Sequence, residues 1–273
     1  MAGSAPSIDC AYLVEGDGPP VVLVHASNTD HRIWAEHAKR IGERFCVLAP
    51  TQRYFGTSRW PDEGQHFSVD THADDLGTFI RNHRVEPVSL VGWSYGAAVC
   101  LKMATEQPDL VERLILYEPA AASFVRAPQD ANAAAADRVA MTALARARVS
   151  MGDTVAAVPL FMDGVNGHHG AFDRLPDRVQ HIMLENHRTL PLLFAAPPVA
   201  LTCDNLKPLE GTRTVVARGD ATRTFYRIAA EWTAACVPGS TLVVIPEARH
   251  LLPVEDEQRF SALVLDLLES PKR

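Results

Sequence analysis

Short apolar runs rich in β-branched residues alternate with segments of helical spacing through the first 119 residues, and this rhythm limits the fold to few choices. VVLVHA (21–26), FCVLAP (45–50), VSLVGW (88–93) and VERLILYEP (111–119) are the strand-like runs. Nearly every residue in their central stretches is apolar, so they read as strands buried on both faces. Between them, HRIWAEHAKRIGER (31–44) sets Ile33, Trp34, Ala38 and Ile41 on one helical side. SVDTHADDLGTFIRNHRV (68–85) carries acids towards its start and Arg81, His83 and Arg84 towards its end, the order a helix dipole favours. AAVCLKMATEQ (97–107) completes the set. Repeated strand–helix alternation implies a parallel sheet with helices on both faces.

The rhythm breaks at residue 121. From 121 to 205 the chain is Ala-rich and helical in character, as in ANAAAADRVAMTALARARVS (131–150) and LPDRVQHIMLENHRTL (175–190), and Pro197, Pro198 and Pro208 punctuate its end. Strand and helix then alternate again in TRTVVARGD (212–220), TFYRIAAEWTAACV (224–237), STLVVIPEA (240–248) and DEQRFSALVLDLLES (256–270). The economical division is one α/β core built from residues 1–120 and 206–273, interrupted by a helical insertion over 121–205. At 273 residues, 47% of them hydrophobic, the chain is long enough to bury one large core.

Charge narrows the partners. The formal net charge of −7, with no dense Lys/Arg cluster, argues against a nucleic-acid or anionic-membrane surface and leaves a small molecule as the expected ligand. The opening MAGSAPSIDC has neither a basic nor an apolar leader region, and no apolar run reaches membrane-spanning length. The five cysteines (Cys10, Cys46, Cys100, Cys203 and Cys236) are widely spaced without a CxxC pair. That spacing predicts neither a disulfide framework nor a zinc site, and it fits a reducing, cytoplasmic setting. Self-association is left open.

The third strand ends in Gly92-Trp93-Ser94-Tyr95-Gly96. A serine hydroxyl is a weak nucleophile until a base takes its proton, and it must stand clear of the fold to meet a carbonyl. A sharp strand-to-helix turn presents it so, and small residues at Gly92 and Gly96 relieve the backbone crowding. The plain alternative is a turn with Ser94 as helix cap. A base is expected after a later strand, and His250, between STLVVIPEA and LLPVED, stands there. An acid to orient it is expected at another strand end. Asp220, after TVVAR-Gly219, meets that requirement, with a helix cap as its plain reading. Glu118, ending LILYE, is the alternative acid, and Asp204 fits less well.

With these residues in place, the chain resembles the α/β-hydrolase superfamily, in the subgroup of small esterases, lactonases and cofactor-free haloperoxidase-like perhydrolases. The resemblance rests on VVLVHASNTDHRIW, PTQRYFGTSRWP, LVGWSYGAAVCLKMA, RLILYEPA, VVARGDATR and VIPEARHLLPVEDEQRF, which together span nearly everything but the insertion. It implies an α/β-hydrolase fold, a helical lid over 121–205, and no cofactor or metal. It also implies an oxyanion hole made by the backbone N–H of Tyr95 and that of Ser27, with Ala26 as the alternative second donor. Three departures stand out: Ala26 where the family has glycine after the histidine, PTQRYFGTS where an Asp-x-Arg-Gly pattern is common, and Ala248-Arg249 before His250 where a glycine is common.

The expected reaction is acyl transfer to water from an ester or lactone, through an acyl-enzyme on Ser94. Perhydrolysis and carbon–carbon bond hydrolysis would use the same triad, and a non-catalytic ligand-binding relative is the reading outside enzymes. Trp34, Trp93 and Phe161 are candidates for an apolar substrate pocket, against the alternative of core packing. Asp70, Asp74 and Asp75 read as a solvated helix start, His168 and His169 as a glycine-rich loop, and Cys100 as buried packing.

Overall fold

The VSLVGW run lies at the middle of a seven-stranded sheet, flanked by three strands on each side. The computed structural model describes residues 10–60 and 62–270, so the leader reading of the first nine residues lies outside the described part. The strands are β1 (Tyr12–Glu15), β2 (Pro20–Val24), β3 (Cys46–Pro50), β4 (Val88–Trp93), β5 (Val111–Tyr117), β6 (Arg213–Gly219) and β7 (Thr241–Ile245). They are ordered β1-β3-β2-β4-β5-β6-β7; β1 pairs antiparallel to β3 and every other pair is parallel. The parallel strands therefore bring their C-terminal ends to one edge, where open α/β sheets place their sites.

Ten helices accompany the sheet among the described residues: α1 (Ala35–Ile41), α2 (Val69–His83), α3 (Tyr95–Glu106), α4 (Pro128–Ser150), α5 (Thr154–Asn166), α6 (Asp177–Glu185), α7 (Leu190–Ala195), α8 (Thr224–Cys236), α9 (Leu252–Glu255) and α10 (Glu257–Glu269). Each face of the sheet is covered by its own apolar cluster. Trp34, Trp93, Tyr117 and Phe260 anchor one, and Leu90, Leu101, Met103 and Leu114 anchor the other. The segment 31–44 departs from a single helix: a 3-10 turn over His31–Trp34, capped by the Asp30 side chain on Arg32 N–H, precedes α1. None of the helices is long and apolar enough to cross a membrane.

Helices α4 to α7 all fall between β5 and β6 in the chain. On α4, Ala134, Met141, Thr142 and Ala145 are buried, while α5 buries Ala157, Val158, Phe161, Met162 and Val165. The two helices approach closely where Gly164 of α5 meets α4: a Cβ there would lie 1.9 Å from Met141 O. Asn186, just after α6, ties the inserted helices to the loops that follow β2 and β3. Its amide donates to Asp30 Oδ2 (2.8 Å) and its oxygen accepts from Gly56 N–H (2.7 Å). Burial would raise the Asp30 pKa, but hydrogen bonds from Arg32 and Asn186 outweigh it and hold the group below the ordinary range.

The cysteine expectation is corrected here. Cys203 and Cys236 form a disulfide, joining the segment that returns from the insertion to the end of α8. The two lie 33 residues apart in sequence, and only the fold brings their Cα atoms to 4.9 Å. Cys100 is buried, as the packing reading expects.

Candidate active site

Ser94 occupies a turn with φ 56° and ψ −115°, a region that side-chain-bearing residues rarely enter. Such backbone costs about 1–3 kcal/mol and persists only where its surroundings hold it. Here Ser94 N–H donates to Tyr117 O (2.9 Å), while Ser94 O accepts from Ala98 and Ala120 N–H (3.1 Å each). The flanking glycines are needed for close approach. A Cβ on Gly92 would lie 2.6 Å from Ala97 Cα, and one on Gly96 would lie 2.3 Å from His25 O. The hydroxyl thus stands at the junction of β4 and α3, and Tyr95 N–H, in the first turn of α3, has no acceptor within the helix.

His250 follows β7 with its imidazole Nε2 3.0 Å from Ser94 Oγ. Its backbone is pinned from three directions. Trp93 Nε1–H donates to His250 O (3.0 Å), Tyr117 OH to Arg249 O (2.6 Å), and Leu251 N–H to Asn166 Oδ1 (3.0 Å). The other imidazole nitrogen, Nδ1, is 2.7 Å from Glu118 Oε2. Glu118 is wholly buried at the end of β5. It also accepts from Gly219 N–H and from the Thr222 hydroxyl, both at 2.9 Å. A buried carboxylate needs such partners, and three donors on its two oxygens provide them.

The carboxylate facing His250 is therefore that of Glu118, which corrects the first choice of Asp220. Asp220 directly follows β6, one strand further out, and its side chain is exposed. Its backbone N–H bonds Ile245 O across the β6–β7 edge, and its carboxylate makes no hydrogen bond among the described residues. Nor does it cap α8, whose N-cap is Arg223. Asp204 pairs with Lys207 at the surface.

The loop after β2 lies beside Ser94. His25 is buried, with Nε2 accepting from Gln52 N–H (3.0 Å) and Nδ1–H donating to Ala26 O (2.8 Å). Desolvation lowers its pKa to about 4, so the ring is neutral and serves as a strut for the loop. Ser27 lines the same cavity as Ser94 and Tyr95. That cavity measures about 110 Å³. Its walls are mainly apolar, including Met141, Phe161, Val165, Leu193 and Phe225. Phe161 is in the wall. Trp34 and Trp93 are not: both are buried in the core, where their rings meet edge to face at 6.3 Å, and Trp93 spends its indole N–H on the His250 loop. Their sequence signal, an aromatic beside a candidate site, does not distinguish pocket from core.

Several residues of the site carry no sequence signal of their own. Tyr226, on α8, stacks on the His250 ring (centroids 3.7 Å apart, planes at 11°), and it lines the same cavity as Ser94. Burial, with the Glu118 charge, pushes its hydroxyl's pKa up, so it stays protonated. Arg138, Thr142 and Arg146 contribute the polar wall supplied by α4. Their spacing of four residues puts them on one helical face, a pattern readable in the sequence once α4 is known to face the cavity. Asp70 pairs with Lys102 and Asp75 with Arg53, and no cluster of three or more His, Cys, Asp or Glu among the described residues could hold a metal ion.

Comparison with known proteins adds the family. A model described as the alpha/beta hydrolase family matches residues 21–263. Among curated proteins, a pyrrolizixenacetamide deacetylase from Xenorhabdus hominickii is 33% identical over 107 residues, covering 39% of this chain and 40% of that protein. A soluble epoxide hydrolase from a Corynebacterium species is 31% identical over 107 residues, covering 39% and 37%. The first curated relatives are matched over only 30% to 40% of their own length. Among solved structures, a bromoperoxidase from Bacillus anthracis superposes with a TM-score of 0.77 at 19% identity, covering 95% of both chains. A thermophilic esterase from Thermogutta terrifontis gives a TM-score of 0.68 at 23% identity, covering 95% of this chain and 92% of that one. At such identities the likeness concerns the fold.

Proposed function

The chain belongs to the alpha/beta hydrolase family, and from that premise we propose that it is a serine hydrolase acting on a small ester or lactone through Ser94, His250 and Glu118. The observation that carries this reading is the continuous line of hydrogen bonds from Ser94 Oγ through His250 to a fully buried Glu118. In the proposed reaction His250 Nε2 takes the Ser94 proton as Oγ attacks the carbonyl. Glu118 accepts from Nδ1–H, which keeps the lone pair on Nε2 and stabilises the imidazolium that forms. The N–H groups of Tyr95 and Ser27 receive the developing oxyanion, each contributing roughly 10²–10³ in rate. His250 then returns its proton to the leaving group, and water activated by the same imidazole releases the acid.

The inserted helices act in this reading as a lid, since α4, α5 and α7 supply much of the wall above Ser94. Cavity size favours a short acyl group. An apolar cavity of roughly 150 Å³ admits a benzene ring, so the 110 Å³ here suits a chain or ring of at most about that bulk. The deacetylase likeness is compatible with acyl transfer from a small substituent.

The test is a panel of short and long acyl esters, lactones and thioesters with native protein and Ser94→Ala. Short acyl esters should turn over, and Ser94→Ala should lose roughly 10⁴–10⁶ in kcat. Retention of more than a tenth of native activity by Ser94→Ala would end the proposal. Adding hydrogen peroxide as a competing acyl acceptor separates hydrolysis from perhydrolysis.

A further inference from the structure

The cavity's polar wall has a sign. Arg138 and Arg146 line it together with the hydroxyl-bearing Ser27, Ser94, Tyr95, Thr142 and Tyr226, and no acidic residue does. That bias runs against the chain's net charge of −7. Both arginines are exposed residues that also line the cavity, so they stand at its mouth. They are eight residues apart on α4, two turns along one face, with Thr142 between them.

Neither arginine has an acidic partner among the described residues. Arg146 donates to Thr142 Oγ1 (3.1 Å) and Phe194 O (3.1 Å), and its guanidinium lies 4.5 Å from the centroid of the Phe194 ring. These contacts hold it without neutralising it. Arg138 makes no ion pair among the described residues, and the nearest acid in sequence, Asp137, is taken up by Arg223 and by Phe225 N–H. The two charges also oppose each other: desolvation and the Arg138 charge both lower the Arg146 pKa. Two like charges held at an apolar cavity without counter-ions are an unfilled electrostatic demand. Arginine suits a planar, bidentate anion such as a carboxylate.

Resting on the serine-hydrolase reading, we propose that the substrate is an anionic ester whose carboxylate is received by Arg138 and Arg146 at the cavity mouth while Ser94 attacks its ester carbonyl inside. This makes the arginine pair the specificity determinant and confines the apolar part of the substrate to the short span between mouth and nucleophile.

The experiment compares two substrates differing only in charge, mono-4-nitrophenyl adipate and the corresponding adipamate, in which a carboxamide replaces the free carboxylate. Native protein should favour the adipate in kcat/KM, chiefly through a lower KM. The preference should fall at least tenfold in Arg138→Gln/Arg146→Gln, and severalfold when salt rises from about 10 to about 300 mM, since mouth charges are screened. Circular dichroism verifies that the variant is folded. In parallel, calorimetry with adipate and adipamide on Ser94→Ala measures charge recognition without turnover. Adipate should bind more tightly, and this advantage should vanish in the triple variant. A preference within twofold of unity in native protein, or one unchanged by the double substitution, overturns the proposal. Loss of all ester turnover with adipate recognition intact would instead remove the hydrolase reading and leave an anion-binding site.

Discussion

Replacing Glu118 by Gln changes one oxygen to an NH₂ group, and the three donors around the carboxylate determine the effect. Oε1 accepts from Gly219 N–H, and Oε2 accepts from Thr222 OH and His250 Nδ1–H. A glutamine has one acceptor oxygen for these donors. If it faces Gly219, the NH₂ group meets His250 Nδ1 and favours the tautomer with its proton on Nε2, which cannot deprotonate Ser94. If it faces His250, the NH₂ group meets the fixed Gly219 N–H, and a buried donor pair is left unsatisfied at roughly 1–3 kcal/mol. The first arrangement is the easier, and the wrong tautomer lowers kcat by about 10⁴, a barrier increase of about 5.4 kcal/mol. Asp220→Asn, at an exposed carboxylate without hydrogen bonds, should stay within twofold of native. The assay is steady-state hydrolysis of a short acyl ester by both variants, with KM near native in each. Glu118→Gln keeping a tenth of native kcat, or Asp220→Asn being the variant that collapses, would show that Glu118 does not orient His250.

Three other outcomes rest on the same structure. Gly96→Ala would set a Cβ 2.3 Å from His25 O and 2.5 Å from Val24 O, both backbone atoms, so urea unfolding should show a loss of about 1–3 kcal/mol or more; an unchanged midpoint would contradict the close approach. Burial lowers the pKa of His25 to about 4, of His37 to about 4 and of His72 to about 3. In each case the unfolded state binds more protons between the folded value and about 6.5, so stability rises with pH across that window and each group forfeits roughly 2 kcal/mol at about pH 5; equal urea midpoints at pH 7.5 and pH 5 would refute this. Opening the Cys203–Cys236 link, which spans 33 residues, should remove about 4 kcal/mol on the chain-entropy account; a melting temperature insensitive to reductant would speak against it.

Legibility in the sequence tracks burial. VSLVGW reads as a strand and is one, since a run apolar on both faces has no other stable place in an α/β sheet. β1, by contrast, is hidden in the sequence because its YLVE is four residues of mostly exposed edge, pairing antiparallel with β3 and carrying no burial pattern. Ser94 and His250 can be read from their strand-end positions. The acid cannot, because Glu118 and Asp220 end neighbouring strands, and only the paths of the loops beyond them decide which carboxylate turns towards the imidazole. The contrast that does exist in the sequence is weak: Glu118 closes a wholly apolar LILY run, whereas Asp220 comes after Arg-Gly and opens to solvent. Tyr226 and the disulfide depend on how α8 packs, which no local pattern encodes.

The central claim, a serine activated for attack on a carbonyl-like centre, is tested most directly by a fluorophosphonate probe with peptide mass spectrometry. Native protein should carry one adduct, on Ser94, and labelling should slow by at least roughly 10³ in His250→Ala. An adduct on another residue, or ester turnover by a protein whose Ser94 stays unlabelled, would contradict the account.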